Sequence, residues 1–184
     1  MIFDLIKERR SIFPPQYIDK PIAKETLEKI LEAANWAPTH KKTEPWRFKV
    51  LTGEKKQELG IFLSNKYEEV DPSPKQMKIK KLQFNPSNSG AVIAICMQRD
   101  PKESLPEWEE IASVAMAVQN MWLCCTELGI GSYSSSPGLI KYMDEFFDLN
   151  EGEKCLGFFY MGYFDGEVIP SARTPIADKV EWFD

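Results

Sequence analysis

The chain has a single histidine, His40, among its 184 residues. One imidazole rules out HExxH metalloprotease sites and histidine-rich metal clusters, so no metal site is expected. A serine hydrolase triad would have to use His40, and there is no G-x-S-x-G turn to supply its nucleophile. Cysteine is also scarce. Cys96, Cys124, Cys125 and Cys155 lie in apolar runs and form no CxxC pair, the pattern of free buried thiols in a reducing cytosol. Basic charge is in deficit, with 23 Lys and Arg against 28 Asp and Glu and a net charge of −5. That balance argues against a nucleic-acid binder. Any phosphate must therefore be met by a local cluster of cations. Ile2, Phe3, Leu5 and Ile6 are too few and too interrupted by charge for a secretory signal core, and a cytoplasmic location is expected.

Hydrophobic residues at 43% and charged residues at 28% match an ordinary globular protein. One domain over 1–184 is expected, burying roughly 70% of its unfolded surface. The patterning predicts helices over 2–10 and 24–37, the latter with Leu27, Ile30, Leu31 and Ala34 at helical spacing and Pro38 beyond. Trp46, Phe48 and Val50 alternate with Arg47 and Lys49, as in a half-buried strand. A polar helix is expected near 54–67, then a mobile helical excursion over 64–89, rich in Lys, Pro, Ser and Asn. The unbroken apolar run 91–97 suits a strand covered on both faces. Ser104-Leu105-Pro106-Glu107 reads as a capping box opening a helix to Leu128, closed by Gly129-Ile130-Gly131. A short strand over 132–135, a helix from Ser136-Pro137 to Phe147, a strand over 156–163 and an irregular tail complete an α+β chain without repeats.

The helix expected to end at Leu128 bears on assembly. From Ile111 it is apolar nearly all round, with Ser113, Gln119, Asn120, Thr126 and Glu127 as the main exceptions. Gln119 and Asn120 side by side in mid-run speak against a membrane span. Such a helix has to be buried on every side, either as the core helix of a monomer or, more easily, against a second subunit.

Arg9 and Arg10 lie three and four residues beyond Ile6. On a helical wheel of about 100° per residue they share the arc of Ile2, Phe3, Leu5 and Ile6. Unpaired charge on a core-facing arc is costly. An anion would relieve it, and the planar guanidinium suits phosphate oxygens, with the Ser11 hydroxyl next in line. The simpler reading is that both arginines complement the negative end of the helix, an effect of about 0.3–1 kcal/mol.

Arg9-Arg10-Ser11, the segment Ala37-Pro38-Thr39-His40-Lys41-Lys42-Thr43-Glu44-Pro45-Trp46-Arg47-Phe48 and the late Arg173-Thr174-Pro175, in that order, resemble the nitroreductase family of flavoproteins. The similarity covers essentially the whole chain and is nearest to a short, single-domain branch of NAD(P)H nitroreductases. The resemblance implies an α+β nitroreductase-like fold, with a central, mainly antiparallel sheet flanked by helices. It also implies an intertwined homodimer with FMN held between the two chains. By position, Arg9, Arg10, Ser11 and Arg173 would hold the phosphate and ribityl end. His40 would reach the flavin from the partner subunit, and Ser134, Ser135 and Ser136 would lie along it from the first. Lys42 and the turn at Ser136-Pro137-Gly138 would supply positive charge and backbone N–H groups near the ring. Trp36 lies about 180° from Leu27 on its helix, so it is either an interface aromatic or a flavin contact. The sequence departs from the family pattern at Lys42 and Glu44, where Asn and Gln are commoner, and at Ser134 and Ser135, where the near branch carries an aromatic and an arginine.

An enzyme of this kind needs no protein nucleophile, because the cofactor carries the chemistry. Reducing equivalents would pass from NADH or NADPH through FMN to a nitroaromatic, quinone or similar small acceptor, by a ping-pong mechanism. Two other functions stay open: a non-catalytic FMN-binding store or sensor, and a dimeric scaffold whose arginines pair with carboxylates. Gly129-x-Gly131 follows a helix and lacks a third glycine, which excludes a Rossmann fingerprint. Lys75, Lys78, Lys80 and Lys81 are interrupted by Met77 and Ile79, as in a solvated or lid helix near a pocket mouth.

Overall fold

The computed structural model describes residues 1–183. Four strands form one antiparallel sheet in the order β1-β2-β4-β3: β1 (Trp46–Leu51), β2 (Ala91–Gln98), β3 (Ile130–Ser135) and β4 (Glu153–Tyr163). Strand β2 is central and divides its side chains between two cores, as the period of two requires. Ala91, Ile93, Ile95 and Met97 point into one core; Val92, Ala94 and Cys96 point into the other. On β4, Phe159 enters the first core and Phe158 the second, both fully buried, each contributing about 1.5–3 kcal/mol. The chain is thus α+β, with helices on both faces of an antiparallel sheet.

Helices α2 (Lys24–Asn35) and α5 (Glu107–Glu127) cover the first core. Leu27, Ile30 and Ala34 form the buried stripe of α2, as their spacing requires. Helix α3 (Glu54–Val70) covers the second core, and α4 (Gln76–Ser87) folds back along it. The two touch at backbone distance at Gly60, where a Cβ would lie 2.8 Å from the Gln83 carbonyl. The stretch expected to be a mobile excursion is instead a packed hairpin. Leu63, Tyr67 and Ile79 are buried in it, and the Lys75 amide donates to the Tyr67 hydroxyl at 3.2 Å.

Three local expectations are corrected. Helix α1 (Ile2–Glu8) stops before the arginines, since Arg9 at φ −53°, ψ 128° has already left the helix. Its apolar arc does not face the core of this chain: Ile2, Phe3 and Ile6 are exposed. The capping box does not form. Ser104 spends its amide and hydroxyl on the Asp100 carboxylate, and α5 begins at Glu107 behind Pro106. Such local side-chain bonding competes with helix capping. The segment after Ser136-Pro137 winds as 3-10 turns over Gly138–Glu145 rather than as an α-helix.

Helix α5 is not buried on every side within one chain. Val114, Ala117, Val118, Met121 and Cys125 face the sheet, while Trp108 (67% exposed), Ile111 and Met116 are open. Gly129, at φ +66°, ends the helix as expected and turns the chain into β3. Outside β3 runs the segment after α1: the Ile12 amide donates to the Ser132 carbonyl at 3.0 Å, and Tyr17 bridges to Phe164. The two strand-edge contacts bring Arg9 to Ser11 beside β3 and the C-terminal half of α5.

Candidate functional site

The site is best built from Trp122, on the half-buried side of α5. Its indole N–H donates to the Arg10 carbonyl at 3.1 Å, its ring packs edge-on against Phe159, and the Arg9 guanidinium sits over it at 4.5 Å. Trp122 therefore fixes the backbone at Arg10 and provides a π-face for Arg9. Arg9 Nη1 is nonetheless buried without a hydrogen-bond partner. Burial, then the charges of Arg173 and Arg10, push the Arg9 pKa below its ordinary value. Arg10 and Arg173 are thus near enough for their charges to act on Arg9. Among the described residues none of them pairs with a carboxylate.

Their bonds go to carbonyls and one hydroxyl. Arg10 donates from Nε to Ile169 O at 3.3 Å and from Nη1 to Arg9 O at 2.8 Å and to Lys7 O. The last contact is the helix-end role that the simpler reading assigns to it. Arg173 donates to Ala172 O at 2.8 Å and to the Ser171 hydroxyl. Ser11, exposed, lies immediately after the pair. Neutral acceptors leave the cationic charge uncompensated, so the cluster fits an anion such as a phosphate.

A groove adjoins this cluster through Trp122. Its walls include Val118, Gln119 and Trp122 of α5, Leu156 of β4, and Ser134 and Ser136. Strand alternation puts Ser134 and Ser136 on the same side, and Ser135 is not among the lining residues. The Ser135 carbonyl instead closes on β4, where a Cβ on Gly157 would meet it at 2.6 Å. The groove is mostly apolar with a few hydroxyl and amide groups. Beside the arginines it presents the two surfaces that a ligand with a flat ring and an anionic tail would require.

The remaining expected residues lie elsewhere on the chain. Trp36 caps the end of α2, 79% exposed, with its indole N–H donating to Glu32 at 2.8 Å. His40 and Lys42 sit on an exposed loop, where His40 Nδ1 meets Glu109 Oε2 at 2.7 Å. None of the three lines the groove of its own chain. The structure therefore brings together Arg9, Arg10, Ser11 and Arg173 around one end, and Ser134 and Ser136 along the other, without Trp36, His40, Lys42 or Ser135.

Trp122 and Gln119 were missed by sequence reasoning. Both sit in a helix so apolar that an aromatic reads as core, but their i, i+3 spacing could have paired the glutamine with the tryptophan on one face. Lys80 and Lys81, read as lid residues, line a separate cleft with Phe13, Phe84 and Tyr133 on the other side of β3. No metal-binding cluster of His, Cys, Asp and Glu occurs among the described residues.

Comparison with known proteins adds an independent line. The profile of the nitroreductase family matches residues 6–163. A Bacillus subtilis protein, provisionally named an NAD(P)H nitroreductase, is 29% identical over 182 residues, covering 96% of this chain and 91% of its own. The crystal structure of a nitroreductase-like family protein from Bacillus cereus superposes with a TM-score of 0.85 at 32% identity, over 100% of this chain and 96% of that one. An FMN-dependent nitroreductase from Clostridium difficile superposes with a TM-score of 0.75 at 25% identity, over 100% of this chain and 99% of that one.

Proposed function

The chain belongs to the nitroreductase family, and on that premise we propose that it is an FMN-dependent oxidoreductase carrying reducing equivalents from NADH or NADPH to a small acceptor such as a nitroaromatic or quinone. The observation that carries this reading is the buried, unpartnered Arg9 Nη1 among three guanidinium groups that no described carboxylate neutralises. A phosphate supplies the missing acceptor and the missing charge together.

In this reading Arg9, Arg10 and Arg173 hold the phosphate and Ser11 donates its hydroxyl beside them. Ser134 and Ser136 offer hydroxyls along the ring and Trp122 walls its near side; Ser135 acts through its backbone. FMN held by these residues would supply the hydride chemistry that links NADH or NADPH to the acceptor in a ping-pong sequence. The protein needs no acid–base pair of its own. Its task is to orient the ring, exclude water and place positive charge near it.

The reading also requires a second copy of the chain. Exposed apolar side chains cluster on α1 (Ile2, Phe3, Ile6), on α5 (Trp108, Ile111, Met116) and on the tail (Ile169, Ile176, Trp182). A lone chain rarely leaves so much apolar surface wet. A symmetric, intertwined homodimer would cover these patches and bring Trp36, His40 and Lys42 of one protomer to the flavin of the other. The whole chain acts as one domain. No described helix is long and apolar enough to cross a membrane, and the four unpaired thiols support a cytoplasmic location.

The test starts with the visible spectrum of the purified protein and its uptake of added FMN. A colourless protein that takes up none rejects the flavin reading. Anaerobic mixing of the FMN-loaded protein with NADH and then NADPH is expected to bleach the flavin. Tight binding without bleaching assigns storage or sensing instead.

A further inference from the structure

The loop that carries His40 is built under backbone strain. Lys41, Lys42 and Glu44 all adopt left-handed conformations, at φ 51°, 56° and 43°. Residues with a Cβ do this uncommonly, and such backbone persists where its surroundings hold it in place. Within the loop, the Glu44 amide donates to Thr39 Oγ1 at 3.2 Å and the hydroxyls of Thr39 and Thr43 lie 3.3 Å apart. Two further contacts tie the loop to the start of α5: Lys41 Nζ donates to the Ser104 carbonyl at 2.8 Å, and His40 Nδ1 meets Glu109 Oε2 at 2.7 Å. Ser104 is held by Asp100, whose amide donates to the fully buried Glu110. The loop is thus anchored to a rigid part of the fold.

The two tethers differ in what they leave free. Lys41 is consumed by its contact. The His40 ring is engaged only at Nδ1, and its side chain remains 60% exposed. A carboxylate on one ring nitrogen sets the ring's orientation and tautomer, and thereby the role of the other nitrogen. With Nδ1–H donated to Glu109, Nε2 is the ring nitrogen left for a polar group of a ligand.

We propose that Glu109 is the positioning residue for His40: its carboxylate fixes the imidazole so that Nε2 meets FMN across the subunit boundary. The inference rests on the proposed function, which puts His40 against the partner's flavin. A competing role for Glu109 is to complement the positive end of α5 beside Glu107 and Glu110. That role would affect stability and leave the cofactor untouched.

A double-mutant cycle on the full chain separates these roles. FMN affinity of the apo-protein is read by flavin fluorescence, with Tm measured alongside. His40→Ala and Glu109→Ala are each expected to weaken FMN binding about tenfold, the scale of one hydrogen bond. The double variant is expected to be no weaker than His40→Ala alone. Glu109→Gln keeps an acceptor for Nδ1–H and is expected to stay within about threefold of the original affinity; it also serves if Glu109→Ala does not fold. Glu107→Gln, which removes a neighbouring helix-end charge paired to Lys154, is expected to leave FMN affinity unchanged, whatever it does to Tm. Wild-type FMN affinity in Glu109→Ala, with or without a lower Tm, overturns the proposal, as do additive effects in the double variant. Unchanged affinity in His40→Ala overturns it together with the placement of His40 at the flavin. Failure of the unmutated chain to bind FMN rejects the function itself and the proposal with it.

Discussion

Two arginine-centred clusters lie in this molecule, and they are wired in opposite ways. Around Arg99 the charges are closed. Its guanidinium meets the fully buried Glu110 carboxylate and donates to Leu105 O at 2.6 Å, while the Asp100 amide donates to the other Glu110 oxygen at 3.0 Å. The Glu110 contact holds the Arg99 pKa above its ordinary value. Around Arg9 the charges are open: three cations, carbonyl acceptors, one buried nitrogen with no partner, and a pKa pushed down. In the proposed reading, the same side chain is structural where its anion is built into the chain and functional where the anion must arrive from outside. That contrast, more than burial or charge alone, separates scaffold from site.

If the contrast is right, breaking the closed cluster harms the fold and breaking the open one harms only the ligand. Glu110→Ala leaves Arg99 and the Asp100 amide without their shared acceptor, so a fall in Tm of roughly 10 °C is expected. The fraction that remains folded should keep its FMN affinity. A scan and a flavin titration on one preparation check both halves. Arg10→Ala should do the reverse, weakening FMN by about 1.5–3 kcal/mol, the scale of a hydrogen bond to a charged group, with little change in the Tm of the apo-protein. An unchanged affinity would move the phosphate elsewhere. Arg9→Met sharpens the point, since it removes a partly desolvated, repelled charge; apo-protein stability should not fall while FMN binding does.

Acid offers a milder probe of the closed cluster. The Ser104 hydroxyl, then the Ser104 and Lys102 amides, hold the Asp100 carboxyl below its usual range. A depressed folded pKa means the stabilisation is fully present above the unfolded value of about 4 and is lost as pH falls through the folded value. Tm should therefore be flat on this account from pH 8 to 5 and decline below about pH 4. Asp100→Asn should lower the plateau by about 3 °C and shallow the acid arm. A decline of the same slope in both proteins would assign the acid sensitivity to other carboxylates.

Sequence was informative where a residue's partners are close by in the chain. The strand at Trp46, the stripe of α2 and the glycine closing α5 all reappear in the structure, although the alternation within the strand holds only for Trp46 and Phe48, since Val50 is exposed and Leu51 is buried on the other face. It misled where the partner is distant in the chain or absent from it. The arc of α1 holds Ile2, Phe3 and Ile6 on one side as expected, but nothing in this chain covers them. Arg9 and Arg10 leave the helix altogether, yet still gather with Arg173, because the indole of Trp122 anchors the Arg10 carbonyl. The family pattern named Arg9, Arg10, Ser11, Trp36, His40, Ser134, Ser135, Ser136 and Arg173, of which Trp36, His40 and Ser135 do not line the groove of this chain. It could not reveal Trp122, which resembles any core aromatic, or Glu109, which resembles any acid in a helix's first turn.

The groove supplies the finest test of the open region, since Ser134 and Ser135 are adjacent in sequence and part company in space. Ser134 lines the groove with Ser136, whereas Ser135 closes against Gly157 through its carbonyl. Ser134→Ala removes one neutral hydroxyl and should weaken FMN by about 1 kcal/mol, near fivefold. Ser135→Ala keeps the carbonyl and should leave affinity within about twofold. Flavin titrations of the two variants compare them directly. Equal losses would mean that the strand presents both hydroxyls to the cofactor.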